Sequence, residues 1–135
     1  MKGTEKTKIW SVITFLMGAF MFYAGVQHFR TPILFLNFVP SFLPFKIAII
    51  YISGLVELIV GVLLFIKNYQ GIGAFILFVL MIIFLPIHIW DVFSATPAIG
   101  SHQAALIRLP LQVILIGIAW KLKIIYSNKH DYGTT

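Results

Sequence analysis

The chain has 135 residues, of which 60% are hydrophobic and only 10% are charged, and its mean hydropathy is +0.99. A soluble domain of this size could not keep such a composition dissolved, so the composition excludes a water-soluble globular protein. The net charge is +6, but the basic residues flank apolar stretches and form no patch, which argues against a nucleic-acid partner. The absence of cysteine excludes disulfides, thiol redox relays and iron–sulfur ligation.

Four long apolar stretches predict four membrane-spanning helices. Each is long enough, because a bilayer core of about 30 Å takes about 20 helical residues. The predicted spans are residues 9–28, 46–66, 71–91 and 102–125. A chain this short with continuous apolar runs cannot close a β-barrel, and an open sheet would leave backbone groups unpaired in lipid. We therefore expect an all-α fold, a four-helix bundle in membrane lipid that forms one transmembrane domain over residues 1–135.

Basic residues predict how the bundle is oriented. The first eight residues resemble the start of a secretory signal, but no small-residue cleavage site follows, so helix one is expected to be retained. Seven lysines lie on the side of the termini and three basic residues on the other side. The seven are Lys2, Lys6, Lys8, Lys67, Lys121, Lys123 and Lys129, and the three are Arg30, Lys46 and Arg108. Both termini are expected in the cytoplasm.

Residues 31–44, called here the 31–44 segment, connect helices one and two. They are too apolar for an open loop and too rich in proline for a span. Thr31 is a candidate N-cap of a short interfacial helix, Pro32 suits its first position, and Pro40 and Pro44 end it and introduce helix two. The segment is either a hydrophobic lid anchored by phenylalanines or the wall of an entrance for a lipid-soluble ligand.

Small and polar residues at helical spacing form one stripe on helix one and one on helix two, and each stripe is expected to face another helix, of the same chain or of a second copy. The two stripes are Gly18, Met21, Gly25 and His28 on helix one, and Ser53, Gly54, Glu57 and Gly61 on helix two. Glycine lets another helix approach closely, so His28 is expected to point toward the bundle. An ionised carboxylate at mid-membrane is costly in hydrocarbon, so Glu57 is also expected to face a neighbour.

Helix three carries His88 and Asp91 on one face, just after Pro86. Proline lacks an N–H, so Pro86 leaves the carbonyl of Ile82 without its helical partner and is expected to bend the helix. Because neighbouring spans alternate in direction, both polar side chains should reach the same outer half of the membrane as His28.

Helix four adds Arg108 and Gln112, one turn apart. These residue positions predict a polar cavity that opens outward, with Arg108 and Glu57 as its charged pair and Gln112 bridging one turn deeper. The candidate ligand-binding residues are His28, Glu57, His88, Arg108 and Gln112.

Histidines at similar depth raise the alternative of a metal or haem site. His28 and His88 could ligate a b-type haem, or zinc or iron together with Asp91 or His102. Interfacial histidines are more often hydrogen-bonded structural groups, and no His-x-x-x-His spacing occurs. His28, His88 and Asp91 are therefore weak metal candidates, and no metal is assigned.

Five short motifs carry a resemblance to a known family. They are AGVQHF at residues 24–29, VPSFLP at 39–44, SGLVEL at 53–58 with Gly61, FLP at 84–86 and RLPLQ at 108–112. With these motifs the chain resembles the DoxX-like family of small four-helix bacterial membrane proteins over nearly its whole length. The resemblance implies a four-helix fold in the bacterial inner membrane. Relatives commonly have asparagine two residues after the helix-three proline, where this chain has His88, so no catalytic role is carried over.

Three classes of function remain open from the sequence. The first is a non-catalytic membrane component that binds a small apolar molecule or a partner subunit, with Glu57 and Arg108 fixing helix register. The second is a quinone-binding membrane subunit of a redox system, since the resembled family takes its name from a subunit of a thiosulfate:quinone oxidoreductase. The third is a small proton-coupled carrier, because a carboxylate at mid-membrane can take up protons. The sequence does not decide whether a reaction is catalysed or whether copies of the chain associate.

Overall fold

The computed structural model describes the backbone of residues 2–131 and the side chains of residues 3–127, so the ends of the predicted 1–135 domain lie outside the described residues. It contains four long helices, which are α1 (Lys2–Arg30), α2 (Lys46–Phe65), α3 (Gln70–Phe93) and α4 (His102–Asp131). Two short 3-10 helices, Pro32–Phe38 and Lys67–Tyr69, follow α1 and α2, and the described residues contain no strand. The four long helices are long and apolar enough to cross a membrane. The chain is thus a multi-pass membrane protein, and the predicted all-α four-helix fold is confirmed.

The helices extend past the predicted spans where the flanking residues are polar. α1 begins at Lys2 instead of residue 9, and α4 continues to Asp131 instead of ending at residue 125. The apolar pattern stops at the lysines, but lysine and glutamate are good helix formers, so the helices continue beyond the apolar region. α3 also runs through Pro86 as one helix.

The bundle consists of two helical hairpins, because α1 packs mainly along α2 and α3 mainly along α4, while α2 joins the hairpins through α3. Glycines bring α1 and α2 unusually close. A Cβ atom placed on Gly54 would lie 2.5 Å from the Cβ of His28, and one on Gly61 would lie 2.9 Å from the carbonyl oxygen of Gly18. Each glycine stripe was expected to face another helix, and the structure shows that the two stripes face each other within one chain.

The hydrophobic core fills the half of the bundle near the Lys67–Tyr69 turn, which we call the turn end. Its buried side chains are Met17, Met21, Val60, Leu64, Ala74, Leu77, Leu80, Met81, Ala119, Leu122 and Tyr126. The hydroxyl groups of Thr14 and Tyr126 lie 2.8 Å apart and join α1 to α4 in the same half. The other half, next to the 31–44 segment, is called the segment end, and it contains the polar residues.

The 31–44 segment forms the predicted short helix, with Pro32 at its first position. Thr31 occupies the predicted N-cap position, but its side chain makes no capping hydrogen bond. Its hydroxyl donates instead to the carbonyl oxygen of Gln27 at 3.2 Å, the backward bond that a threonine at a helix C-terminus favours. Phe42 is 81% exposed, whereas Val39 is buried. The segment therefore presents some apolar side chains outward and others to the bundle.

Candidate functional site

A cavity of about 760 Å³ lies between the two hairpins at the segment end. This volume is within the usual range of sites for small molecules, about 300 to 1,000 Å³. All four long helices and the 31–44 segment contribute to its wall. The structure brings all five predicted residues to this wall, namely His28, Glu57, His88, Arg108 and Gln112.

Most of the cavity wall is apolar, and part of it reaches the lipid-facing surface. Ile52 of α2 and Ile83 of α3 line the cavity, yet they are 62% and 58% exposed. Ile52 belongs to one hairpin and Ile83 to the other. The cavity therefore borders the surface that acyl chains would cover, and a ligand dissolved in the bilayer would meet it there.

His28 and Glu57 form one polar group of the site. The Nδ1 atom of His28 lies 3.1 Å from Oε2 of Glu57 and 2.9 Å from the carbonyl oxygen of Ala24. A carbonyl oxygen only accepts, so the N–H donates to Ala24, and Oε2 of Glu57 receives no aligned hydrogen bond despite the short distance. Phe35 stacks on the imidazole with 3.8 Å between ring centroids. The histidine is thus held firmly, whereas the buried carboxylate keeps one oxygen free.

Arg108 is the second polar group, and it does not pair with Glu57 as predicted. Its guanidinium carbon lies 4.5 Å from the centroid of the Phe38 ring, and its Nη1 atom is buried without a hydrogen bond. Among the described residues no carboxylate oxygen lies within 4.0 Å of it. The physical reason is depth, because at the helical rise Glu57 is roughly 16 Å along α2 from the segment end and Arg108 only roughly 9 Å along α4. The histidine of α1 is nearer to the carboxylate.

His88 and Gln112 lie on the facing sides of α3 and α4, and both are buried. The amide nitrogen of Gln112 donates to the carbonyl oxygen of Met81 at 2.7 Å, which joins α4 to α3. The predicted bridge from Gln112 to the charged pair is therefore wrong, since the amide is already bonded to the backbone. His88, by contrast, has a buried Nδ1 atom with no hydrogen bond.

Asp91 does not line the cavity, although sequence spacing placed it beside His88. Its two carboxylate oxygens accept hydrogen bonds from the backbone N–H groups of Ala98 and Ile99. The side chain is fully buried, so Asp91 fixes the loop between α3 and α4. His102 is likewise engaged, donating from Nε2 to the carbonyl oxygen of Ser94 at 2.8 Å.

The weak metal candidates His28, His88 and Asp91 are not brought to one centre. Within the described part of the chain, no three histidine, aspartate or glutamate side chains are placed to hold a metal ion. Asp91 turns toward the loop while His88 faces the cavity, so their shared helical face does not place them around one point.

Two phenylalanines of the site were not predicted individually. Phe35 contacts His28 and Phe38 contacts Arg108, so each rests on one of the two polar groups. In a 3-10 helix, which has three residues per turn, residues three apart lie on the same face. The spacing of Phe35 and Phe38 could therefore have indicated that both side chains face the site. The sequence alone did not show that the short helix is a 3-10 helix and not an α-helix.

The family model described as Domain of unknown function (DUF8561) matches residues 17–123. The matched range covers well over half of the chain and includes every polar residue of the cavity, so the chain belongs to this family. No curated protein matches the chain, and no solved structure matches it.

Proposed function

We propose that this member of the DUF8561 family is a non-catalytic membrane component that binds a small, mostly apolar molecule inside the bilayer. The observation that carries the proposal is a set of three buried polar atoms without hydrogen bonds on residues that line one cavity. They are Oε2 of Glu57, Nδ1 of His88 and Nη1 of Arg108. In lipid each polar group without a hydrogen bond destabilises the protein by several kcal/mol. A ligand that forms hydrogen bonds with these groups would recover part of that free energy as binding free energy.

A structural role alone accounts poorly for these residues. Polar pairs can fix the register of membrane helices, but Glu57 and Arg108 do not pair with each other. Register between α3 and α4 already depends on the bond from Gln112 to Met81. Register between α1 and α2 is set by the contacts of Gly54 and Gly61. The free polar atoms are therefore best explained by a molecule that binds to them.

The form of the cavity supports an elongated ligand with one polar end. Its wall is mainly apolar, and the polar side chains occupy a small part of it. Binding sites for apolar molecules commonly have this composition, with a few polar groups fixing orientation. The border with lipid at Ile52 and Ile83 would let an apolar part remain in the bilayer.

A quinone is the second candidate ligand, with the protein as the membrane subunit of a redox system. Arg108 offers an N–H group to a carbonyl oxygen of a quinone ring. The resemblance to DoxX-like proteins supports the same choice, and we propose that this kinship is real. A redox role would also be compatible with a partner subunit or a second copy of the chain. Neither could pack on the glycine stripe of α1, because α2 already covers that stripe.

We also propose a location in the bacterial cytoplasmic membrane with both termini in the cytoplasm. The unequal distribution of lysine and arginine supports this orientation. Because the chain has no cysteine, single substitutions can test it cleanly. Ser41→Cys should react with a membrane-impermeant maleimide in intact cells whose outer membrane is made permeable, whereas Asn68→Cys should react only after lysis. The reverse pattern would contradict the orientation.

Mass spectrometry of compounds extracted from the purified protein tests the binding proposal. In mild detergent the wild type should carry an apolar compound in stoichiometric amount, and a quinone would be identified by its mass. Ser53→Trp fills the cavity and should reduce the compound several-fold. Ile107→Trp places the same side chain at an exposed position of α4 outside the cavity and should leave the amount unchanged. A compound absent from the wild type, or present equally in both variants, would overturn the proposal.

A further inference from the structure

We infer, resting on the proposed function, that the ligand is an acidic amphiphile whose singly charged anionic head group binds Arg108. The shared chemistry is a monoanion on an apolar chain, either the carboxylate of a long-chain acid or the phosphodiester of an anionic phospholipid. The inference comes from the charges that face the cavity and from the groups that already neutralise them.

The two opposite charges of the cavity are not equally compensated. Glu57 has the imidazole of His28 at 3.1 Å, and this ring can supply the compensating positive charge when it is protonated. Arg108 has no carboxylate oxygen within 4.0 Å among the described residues. The nearest compensating charge is that of Asp91, which attracts Arg108 from beyond that distance and whose two oxygens bond to loop N–H groups. Among the described residues, the cavity therefore holds one cation, Arg108, with no carboxylate in direct contact.

The guanidinium of Arg108 is positioned to receive an anion. The ring of Phe38 lies beneath it, with 4.5 Å from the guanidinium carbon to the centroid, and Nη1 is buried but unbonded. A planar guanidinium donates two parallel hydrogen bonds to a carboxylate or phosphodiester. His88 also lies on the cavity wall, on the neighbouring helix, and its ring bonds to the backbone of Arg108.

The remaining charges limit which ions fit. A cationic ligand would be repelled by Arg108, and a doubly charged head group would place excess negative charge in the cavity that also contains Glu57. A monoanion neutralises the arginine without this excess. Its apolar chain would lie along the apolar wall and leave toward lipid between Ile52 and Ile83.

The test compares hexadecanoic acid with hexadecanol, which has the same chain and no charge, for binding to the purified full chain in neutral detergent. We expect the acid to bind at least about tenfold more tightly, the difference that one charge-assisted contact commonly makes. Arg108→Gln should reduce the acid to the affinity of the alcohol and leave the alcohol unchanged. Arg30→Gln removes an exposed arginine at the segment end and should change neither affinity.

Two further measurements identify the source of the anion and show whether the effect of Arg108→Gln is due to misfolding. Phosphatidylglycerol against phosphatidylcholine in the same assay shows whether the phosphodiester of a lipid is preferred. Arg108→Lys keeps the positive charge but lacks the planar guanidinium group, so the variant should retain part of the preference for the anion. If the anions bind no better than their neutral partners, this inference is wrong and the proposed binding function stands. If neither acid nor alcohol nor either phospholipid binds, this inference is wrong as well, and the compound extracted from the purified protein decides the proposed binding function.

Discussion

The polar side chains of the membrane region fall into two kinds. Asp91 and Gln112 have bonded partners, the first in the loop N–H groups of Ala98 and Ile99 and the second in the carbonyl of Met81. Glu57, His88 and Arg108 each keep a buried atom without a hydrogen bond. Buried polar groups are normally paired, so this difference separates residues that hold the fold from residues available to a ligand.

Replacing Gln112 by leucine should destabilise the bundle moderately. The substitution removes the 2.7 Å hydrogen bond between α4 and α3, and such bonds between membrane helices contribute about 0.6 to 1.7 kcal/mol. The loss can be measured as the free energy of unfolding in a mixed-detergent titration. Val113→Leu, at an exposed position one residue later, is the control and should be neutral. An unchanged stability in Gln112→Leu would show that the bond does not hold the hairpin.

Replacing Asp91 by alanine should have a larger effect. It leaves two loop N–H groups without their acceptor, and a hydrogen bond to a charged group contributes about 1.5 to 3 kcal/mol. The same unfolding titration measures the change, and Asp91→Asn should lose less because one oxygen remains. Ser94→Ala, in the same loop, removes an exposed hydroxyl and should be nearly neutral. If Asp91→Ala were as stable as the wild type, the assigned structural role would be wrong.

Replacing Glu57 by leucine should change stability by less than about 1 kcal/mol or raise it. The carboxylate is buried with no aligned hydrogen bond, and apolar replacement of a buried charge is often neutral or stabilising. Binding of a ligand that donates a hydrogen bond to the free oxygen should nevertheless weaken, whereas binding of an anion at Arg108 should not. Unfolding and binding measured on the same preparation separate the two effects. A fall in stability as large as that of Asp91→Ala, with binding retained, would assign Glu57 to the fold.

At this scale the sequence predicts which residues converge but not which of them pair. Helical spacing and the alternating direction of the spans suffice to place His28, Glu57, His88, Arg108 and Gln112 around one cavity. Pairing depends on differences of a few ångströms in depth and on side-chain rotation, which periodicity does not contain. The expected pair of Glu57 with Arg108 failed for this reason, as did the expected bridge by Gln112.

Among the elements, the contact between α1 and α2 is the most constrained. A methyl group on Gly54 would meet the Cβ of His28 at 2.5 Å, a distance that requires the helices to move apart. Since His28 contacts Glu57, separation of these helices would also disturb the site. The close approach thus couples the packing of the first hairpin to the geometry of the cavity.

Gly54→Ala should therefore destabilise the bundle by about 1 to 3 kcal/mol, the range for overpacking a tight interface, and should weaken binding. Gly117→Ala is the matched control, because nothing lies within 4 Å of a Cβ placed there. Thermal unfolding of the two variants in the same detergent gives the comparison. Equal stabilities would mean that α1 and α2 are less tightly packed than the structure shows.

The elements themselves were largely predictable, whereas their ends were not. Four apolar stretches give four helices because only a fully hydrogen-bonded helix is stable in lipid for a chain of this kind. Helix ends depend on local hydrogen bonds, and Thr31 makes no capping bond at the N-cap position because its hydroxyl bonds backward to Gln27.

In the whole molecule, stability and the candidate function occupy different halves. The turn end contains the hydrophobic core and the Thr14 to Tyr126 hydrogen bond, whereas the segment end contains the cavity. A cavity lowers stability in proportion to its volume, and a well-packed half can offset that loss. The sequence predicted a polar cavity in this half but neither its volume nor its mostly apolar wall, because both depend on how side chains of four helices and the 31–44 segment fit together.

An experimental structure of the full chain in lipid nanodiscs tests the central claim most directly, since it shows what occupies the cavity. The account predicts elongated non-protein density that ends within about 3 Å of the guanidinium of Arg108. The density should extend from there toward Ile52 and Ile83. A closed cavity in which Glu57, His88 and Arg108 bond to one another would contradict the account.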